Sequence, residues 1–282
     1  MPQAFITTSW DDGHPSDMRL ADMLARHGLT GTFYIPRSIE TGVLPDSDIR
    51  TLSSNFEIGA HTLNHVFLAN TDDATARAEI AGSKSWVQGL TGKDCPMFCP
   101  PGGRFKSIHY KMFREAEYVG IRTVEFLSLD LPRPRAGLLE MPTTLQAFPH
   151  PAVNYLKNLT KRGAVPNFLL YARHGRTRNW AVLARRLLQR TLRVGGVFHL
   201  WGHSWELDQA ALWSRLDDVL KMLAEVRDQA PCLTNGQLCR RQQQALTGIS
   251  VEAREPVHDR VGERSTSASA SSPPAGAPTA PR

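Results

Sequence analysis

The sequence is poor in cysteine and has no long apolar run. Its 282 residues include only four cysteines, too few and too irregularly spaced for a disulfide framework or a zinc ribbon. It contains no stretch of about 18 apolar residues, so we expect no membrane-spanning helix. Residues 1–12 do not have the basic-then-apolar pattern of a signal peptide, and we therefore expect a cytoplasmic protein.

The charge balance is mildly basic, with a formal net charge of +6 and a pI near 9.3. This balance fits a slightly basic soluble enzyme, or an anionic partner such as a membrane surface or a phosphorylated carrier. Basic residues are not interleaved with aromatic residues as in a nucleic-acid-binding stripe. We therefore expect no nucleic-acid partner.

Strand-like and helix-like segments alternate along the first half of the chain. Ala4–Ser9 and Thr32–Ile35 have strand composition, and the amphipathic segment Asp17–His27 lies between them. Such an order is typical of parallel strands joined by helical crossovers. The pattern predicts an α/β fold, either a barrel or a doubly wound sheet, and about 250 residues can form such a fold as a single domain.

The second half departs from this alternation. Residues 132–179 are rich in proline, and we interpret them as an inserted excursion, either a lid facing the substrate or a purely structural insertion. Residues 208–229 predict one long amphipathic helix. The folded domain should end at residue 247, because residues 248–282 have the composition of a disordered tail.

Two acidic residues and two histidines stand at the predicted ends of separate strands. Asp11 and Asp12 follow the first strand in TTSWDDGHPSD, and His61 and His65 follow the third in HTLNH. Taken alone, the acidic pair also suits a turn. Together, two imidazoles and a carboxylate make the minimum ligand set of a catalytic divalent metal, and α/β folds build their sites where strands end. The residues predict a metal-dependent amide hydrolase.

Four stretches of the chain resemble the motifs of polysaccharide deacetylases, the carbohydrate esterase family 4 domain. SWDDGH is similar to the first motif and HTLNH to the second, while CPPGGR and LWGHS resemble the third and the last. The order and spacing match from Phe5 to about Gln237. The resemblance implies a distorted (β/α) barrel of about seven strands, with residues 1–247 as the catalytic domain.

The resemblance also implies a role for each motif residue. Asp12, His61 and His65 would bind one divalent metal ion, Asp11 would be the general base, and His203 would be the general acid. Zinc is the first candidate, with cobalt, nickel or manganese as alternatives, because a site of two histidines and one aspartate selects weakly among divalent ions.

The chain departs from the family pattern in two places. Cys99 stands where the family has an arginine that pairs with the base, and we expect Arg104 to supply this catalytic guanidinium instead. Without it, the pKa of Asp11 would be tuned differently or activity would be lost. The fourth motif of the family is not clear, so Glu125 and Asp130 are our candidates for orienting His203, with Glu206 as a weaker one.

The resemblance implies a carbohydrate substrate, bound near the same strand ends. A backbone N–H of the 101–103 turn would hold the oxyanion. His199, which alternates with apolar residues on a strand, is expected to be a packed histidine instead. The expected substrate-binding residues are His14, Gly102, Gly103, Trp201 and Trp205.

The expected reaction is hydrolysis of an N-acyl group, foremost N-acetyl, on an amino sugar of a glycan or glycan precursor. Peripheral contact with a lipid-linked glycan is compatible with this function. One alternative is a hydrolase of a non-sugar amide or an N-formyl group at the same metal site. The other is a glycan-binding relative without catalytic activity.

Overall fold

One mixed sheet of nine strands forms the centre of the molecule. Its order is β6-β7-β5-β4-β3-β2-β1-β9-β8, and all neighbours are parallel except the antiparallel pair β6 and β7. The strands are β1 (Ala4–Asp11), β2 (Thr32–Ile35), β3 (Glu57–Ala60), β4 (Met97–Phe98), β5 (Gly120–Arg122), β6 (Arg133–Arg135), β7 (Leu138–Met141), β8 (Leu145–Gln146) and β9 (Gly196–His203).

Helices cover the outside of this sheet. The α-helices in the described part of the chain include α1 (Asp17–Arg26), α2 (Asp46–Asn55), α3 (Asp73–Thr91), α4 (His109–Glu115), α5 (Val165–His174), α6 (Trp180–Val194), α7 (Ser204–Gln209), α8 (Trp213–Ala224) and α9 (Asn235–Thr247). Leu68–Asn70 and Pro101–Gly103 form short 3-10 helices. The single helix predicted over residues 208–229 is wrong, because α7 ends before a turn in which Ala211 has a φ of 51°.

The two edges of the sheet are brought together by a short connection. β7 pairs with β5 and β8 pairs with β9, at opposite ends of the strand order, yet only residues 142–144 separate them. The Thr143 amide donates to the Glu125 carbonyl at 2.9 Å, and the Thr144 amide donates to the His199 carbonyl at 3.0 Å. The sheet is therefore a distorted barrel, as the sequence predicts.

The barrel has more strands than the roughly seven expected, because β6, β7 and β8 come from the 132–179 segment. The part of this segment up to Gln146 extends the sheet instead of forming a separate lid. The helix α5 also comes from this segment but contributes no strand to the sheet.

Every residue of β1 is buried, as in a strand covered on both faces. Phe5 packs in a cluster with Tyr34 and Met97, whereas Ile6 and Trp10 belong to the larger apolar cluster that includes the buried helix residues. Alternate side chains thus face the barrel interior and the helices. Towards the carboxyl end of β1 the residues on the interior side become polar.

The computed structural model describes residues 3–151, 153–155, 165–174, 177 and 179–248. These residues belong to a compact unit that spans Met1–Ile249. The disordered tail predicted from residue 248 lies, beyond Gly248, outside the described residues. No helix in the described part of the chain is both long and apolar enough to cross a bilayer.

Candidate active site

Asp12, His61 and His65 converge at the carboxyl ends of β1 and β3. Their ligand atoms all lie within 4.8 Å of one another. Asp12 Oδ1 is 3.5 Å from His61 Nε2 and 3.1 Å from His65 Nε2. Asp12 and His61 are buried, while His65 is partly exposed. Three ligands with an accessible side are the arrangement that a catalytic zinc site requires.

The surroundings of the three residues also fit a metal ion. His61 Nδ1 donates to the Cys99 carbonyl at 2.6 Å, so Nε2, on the side of Asp12, is the nitrogen available to a metal ion. Such a bond to the distal nitrogen is typical of metal-binding histidines. Burial alone would raise the pKa of Asp12, but hydrogen bonds to His61 and His65 hold it far below its ordinary value. Asp12 is therefore ionised, as a metal ligand must be.

Glu79 on α3 holds the turn between the two histidines. One carboxylate oxygen accepts the amide hydrogens of Leu63 at 2.8 Å and Asn64 at 2.9 Å, and the other accepts from Asn64 Nδ2 at 2.6 Å. Thr62 and His65 have left-handed φ values of 61° and 52°, so the turn is strained. Nothing in the sequence distinguishes Glu79 from an ordinary acidic residue on a predicted helix.

Asp11 pairs with Arg122, which is the last residue of β5. The Arg122 guanidinium donates to both oxygens of the Asp11 carboxylate, and both side chains are buried. Arg104, expected in this role, is exposed, and its guanidinium lies 4.5 Å from the centre of the Phe67 ring. The prediction that Arg104 reaches Asp11 is wrong, because Arg104 follows the 101–103 turn on the surface whereas Arg122 lies inside the barrel.

Arg122 brings to Asp11 the guanidinium that the family resemblance leads one to expect at the position of Cys99. The Cys99 thiol lies 4.0 Å from Asp11, and burial raises its pKa well above the ordinary value, so it is neutral. The guanidinium lies 4.7 Å from the centre of the Trp201 ring and 5.3 Å from that of Tyr34. These rings line its pocket and hold it against Asp11.

His203 ends β9 and stands opposite Asp11 in the parallel ladder. Its Nε2 is 4.0 Å from Asp11 and 3.9 Å from Asp12, and its Nδ1 donates to Glu206 at 2.7 Å. Burial alone would lower the pKa of His203. The hydrogen bond to Glu206 and the charges of the two aspartates outweigh burial and raise this pKa to about 9. His203 is therefore protonated at neutral pH.

The carboxylate that orients His203 is Glu206, neither Glu125 nor Asp130. Glu125 binds Arg133 at 2.6 Å, and Asp130 accepts from Ser128 at 3.0 Å and lies 3.5 Å from Arg133. Both acids are occupied in the loop between β5 and β6. Glu206 reaches His203 because it lies three residues further on, at one turn of α7.

Glu206 also connects the site to the 132–179 segment. Gln146 on β8 donates to Glu206 at 2.7 Å, and its carbonyl oxygen lies 2.7 Å from His150 Nε2. Burial lowers the pKa of His150, so the ring is neutral and donates from Nε2. This part of the excursion therefore supports the orientation of His203.

The two tryptophans beside His203 differ in their exposure. Trp205 is partly exposed, and its indole N–H donates to Asp12 at 2.9 Å, so one ring edge is held at the mouth of the site. Trp201 is 5% exposed and stacks on Phe126, with ring centres 5.9 Å apart. The expectation that Trp201 stacks on a sugar is not supported by this position, because packing covers most of its ring.

The remaining expected substrate residues lie in turns at the carboxyl ends of the strands. Gly102 and Gly103 have φ values of 57° and 63°, and a Cβ on Gly103 would lie 2.4 Å from Val124. Glycine is therefore required at Gly103 by both conformation and space. His14 Nδ1 accepts from the Ser16 amide at 3.2 Å, which orders the turn after the aspartate pair. Substrate contact by these residues stays a prediction.

His199 has the structural role expected for it. It is buried inside the barrel, where its two ring nitrogens lie 2.8 Å from the Ser9 hydroxyl and 2.9 Å from the Pro142 carbonyl. Burial and the nearby Arg122 charge lower its pKa to about 3. The ring is therefore neutral and has both nitrogens bonded.

Comparison with known proteins gives matches to one family. Residues 1–123 match the family described as polysaccharide deacetylase. A peptidoglycan-N-acetylglucosamine deacetylase of Bacillus cereus is 26% identical over 118 residues, which cover 41% of this chain and 54% of the relative. The matched region thus spans about half the length of that relative.

Solved structures show the same fold. A Mycobacterium smegmatis protein assigned as a polysaccharide deacetylase has a TM-score of 0.62 and 16% identity, covering 90% of this chain and 99% of that one. A mutant Bacillus anthracis pseudoenzyme of carbohydrate esterase family 4, with restored activity, has a TM-score of 0.50 and 14% identity, covering 84% and 68%. Residues 1–123 are therefore similar to the polysaccharide deacetylase family, and the described chain shares the fold of these solved structures.

Proposed function

We propose that this protein is a metal-dependent hydrolase that removes an N-acyl group, foremost N-acetyl, from an amino sugar of a glycan or glycan precursor. One observation carries the proposal. The three-residue ligand set lies beside a buried aspartate held by arginine and a protonated histidine held by glutamate. The names of the relatives point to the same substrate class.

Each residue of the site has a part in this reaction. Asp12, His61 and His65 would hold the metal ion, which when bound lowers the pKa of water and polarises the acyl carbonyl. Asp11 is placed to accept a proton from the attacking water. Arg122 fixes the Asp11 carboxylate through both oxygens, so Asp11 has one defined orientation for this transfer.

His203 is placed to protonate the leaving amine. Its Nδ1–H is engaged by Glu206 and its pKa is raised to about 9, so Nε2–H carries the proton that faces the aspartate pair. A general acid must be protonated before the tetrahedral intermediate collapses. The Glu206 bond maintains this state and prevents rotation of the ring.

The 101–103 turn would supply a hydrogen bond to the oxyanion. Pro100 and Pro101 have no amide hydrogen, and the Gly103 amide donates to the Pro100 carbonyl at 2.8 Å. Within this turn, the Gly102 amide is the one left for a ligand. A backbone N–H aimed at developing negative charge is a typical contributor to acyl-transfer catalysis.

A second candidate is hydrolysis of a non-sugar amide or an N-formyl group. It is favoured by the contact between the excursion and the site, because Gln146 and His150 bound the His203 side of the cleft. A wall there suits a small substrate better than a long polymer. The relatives' substrates favour the first candidate.

The test is acetate release from N-acetylglucosamine oligomers by zinc-loaded protein, with and without a chelator. We expect release that depends on the metal and is abolished in Asp12→Asn, together with loss of bound zinc measured by mass spectrometry. Asp22→Asn, at an exposed position on α1, is the matched control and should retain both. If the loaded protein releases no acetate from any amino sugar but cleaves formamides or small cyclic amides, the second candidate is correct.

A further inference from the structure

The charges of the chain are distributed very unevenly. Residues 141–205 contain ten lysine and arginine residues and no aspartate or glutamate. Since the whole chain has a formal charge of +6, the other residues together are net acidic. The positive charge of this protein is therefore a property of one segment, which includes α5 and α6.

Four exposed arginines of this segment come together on α5 and α6. Arg186 Nη1 donates to the His174 carbonyl at 2.9 Å, which joins α6 to the last residue of α5. Arg186, Arg190 and Arg193 are four and three residues apart, so they share one exposed side of α6, and the exposed Arg173 directly precedes His174. We name Arg173, Arg186, Arg190 and Arg193 the arginine cluster.

Large apolar side chains are exposed on the same two helices. Phe168 and Leu169 on α5 are 45% and 63% exposed, and Val182 and Val194 on α6 are 38% and 41% exposed. Phe168, Leu169 and Arg173 lie within about one and a half turns of α5. A run of arginines is usually just a solvated face, but solvation gives no reason for a phenylalanine and a leucine in water beside it.

This face is anchored close to the candidate active site. Asn167, next to Phe168, is buried and donates to Glu125 at 3.1 Å and to the Phe126 carbonyl at 3.0 Å. Phe126 in turn stacks on Trp201, two residues before the general acid on β9. The apolar and basic groups thus lie on a segment whose other residues border the site.

We propose that the exposed face formed by Phe168, Leu169 and the arginine cluster docks on an anionic lipid bilayer. The arginines are attracted to the negative surface potential of the headgroups. Phe168 and Leu169 enter the boundary between headgroups and acyl chains, as the apolar residues of interfacial helices do. A nucleic acid would attract the arginines alike but offers no apolar layer for Leu169. Docking is separate from the hydrolysis proposed above and goes beyond it.

Vesicle sedimentation tests this docking without any substrate. The full chain is mixed with vesicles of phosphatidylcholine alone, and with vesicles containing about 30% phosphatidylglycerol, at low and at physiological salt. We expect the protein to sediment with the anionic vesicles only, and less at the higher salt, because ions screen the attraction. Equal sedimentation with both vesicle types, or with neither, would overturn the proposal.

Charge-reversal variants assign the binding to this face. Arg190→Glu/Arg193→Glu should bind anionic vesicles at least about 20-fold more weakly, since each cation contributes about fivefold. Arg26→Glu/Arg50→Glu changes the net charge equally at exposed positions on α1 and α2 and should bind nearly as tightly as the unaltered protein. Similar losses in both variants would mean that only net charge matters, and the proposed face would be wrong.

A second variant tests the apolar part. Leu169→Ser removes an exposed leucine without altering charge or the buried core, and we expect severalfold weaker vesicle binding with unchanged thermal unfolding and unchanged hydrolysis of soluble substrate. Binding of a 30-base-pair DNA duplex is measured in parallel. If duplex binding is tight and insensitive to Leu169→Ser while vesicle binding is absent, the face binds polyanions and not lipid.

Discussion

Arg122 shows that the position of a guanidinium can be kept while the strand that carries it changes. Cys99 lies just before the 101–103 turn, where the family resemblance led us to expect an arginine, and Arg122 ends the neighbouring strand. Both side chains lie in the space around Asp11. A cysteine at this motif position therefore does not imply that the base lacks its charged partner.

The variant Arg122→Lys tests whether Arg122 has the role expected of an arginine at position 99. Lysine keeps the charge, but its shorter, flexible ammonium cannot reproduce the planar guanidinium that lies between the Trp201 and Tyr34 rings, so we expect kcat to fall roughly 100-fold with little change in KM. Arg104→Lys changes an exposed residue that stacks on Phe67 and should alter kcat less than about twofold. Steady-state hydrolysis rates give kcat for both variants. Equal losses of kcat would support the original prediction that Arg104 acts on Asp11.

Asp17 provides a prediction about pH. Burial raises the pKa of this carboxyl well above its ordinary value. As the pH rises past about 4, the unfolded chain loses this proton while the folded protein retains it, so the residue lowers stability increasingly towards neutral pH. Asp17→Asn should therefore stabilise the metal-free protein more at pH 7 than at pH 4.

Urea unfolding at both pH values, in the presence of a chelator, measures this difference. Asp22→Asn on the exposed face of the same helix is the control and should show no such pH dependence. If Asp17→Asn increased the free energy of unfolding more at pH 4 than at pH 7, the raised pKa of Asp17 would be contradicted.

Sequence spacing is sufficient to identify the candidate metal ligands but not the residues that support them. His61 and His65 are four residues apart after a strand, and Asp12 follows another strand, so local patterns identify them. Arg122 and Glu206 act on partners that are distant in the sequence or lie across a helix turn. The one signal for Arg122 is a charge at the end of a strand with apolar neighbours.

At the scale of elements, α3 and the histidine turn behave as one unit. Glu79 supplies three hydrogen bonds to the turn, whose left-handed residues would not hold this shape alone. A positioning residue of this kind affects metal affinity through the geometry of the ligands. It touches neither metal ligand through its own hydrogen bonds.

Glu79→Gln should weaken zinc binding by roughly 10- to 100-fold. The amide side chain has one acceptor oxygen instead of two and cannot satisfy all three donors. Competition with a chromophoric chelator gives the zinc affinity. The control is Gln88→Glu, the reverse exchange at a half-exposed position of the same helix. It should leave the zinc affinity unchanged. Unchanged affinity in Glu79→Gln would show that the turn is rigid without it.

Element boundaries follow local signals where such signals exist. β2 begins and ends where its composition predicts, and α3 ends at Gly92, which adopts the left-handed conformation. The division of residues 208–229 into α7 and α8 has no glycine or proline to mark it. The apolar spacing continues across the break, so the sequence pattern could not reveal it.

At the scale of the whole molecule, residues 142–144 determine the closure of the barrel. The hydroxyl of Thr144 donates to the Ser128 carbonyl at 2.7 Å and accepts the His199 amide hydrogen at 3.0 Å. Ser128 follows β5 and His199 belongs to β9, so one side chain links the two halves of the sheet across the barrel closure. The repeat of strands and helices predicts the barrel class, but nothing local predicts this contact across more than 50 residues.

Thr144→Val removes these bonds while keeping the shape of the side chain. We expect the free energy of unfolding to fall by about 1–3 kcal/mol, because buried polar partners lose their hydrogen bonds. Thr51→Val, at an exposed position where the hydroxyl also donates to a backbone carbonyl, should change it by less than about 0.5 kcal/mol. Denaturant unfolding of both variants measures the difference, and equal effects would show that residue 144 does not hold the two halves of the sheet together.

The pairing of β1 with β9 has a consequence for how this domain can diversify. Asp11 and His203 are opposite residues at the end of a ladder of eight consecutive pairs. A shift of one residue would turn every side chain to the other face, so the separation between the Asp11 and His203 side chains cannot change by a small slip of the strands. The loops at the barrel mouth can therefore differ in sequence without altering the spacing that this ladder sets between Asp11 and His203.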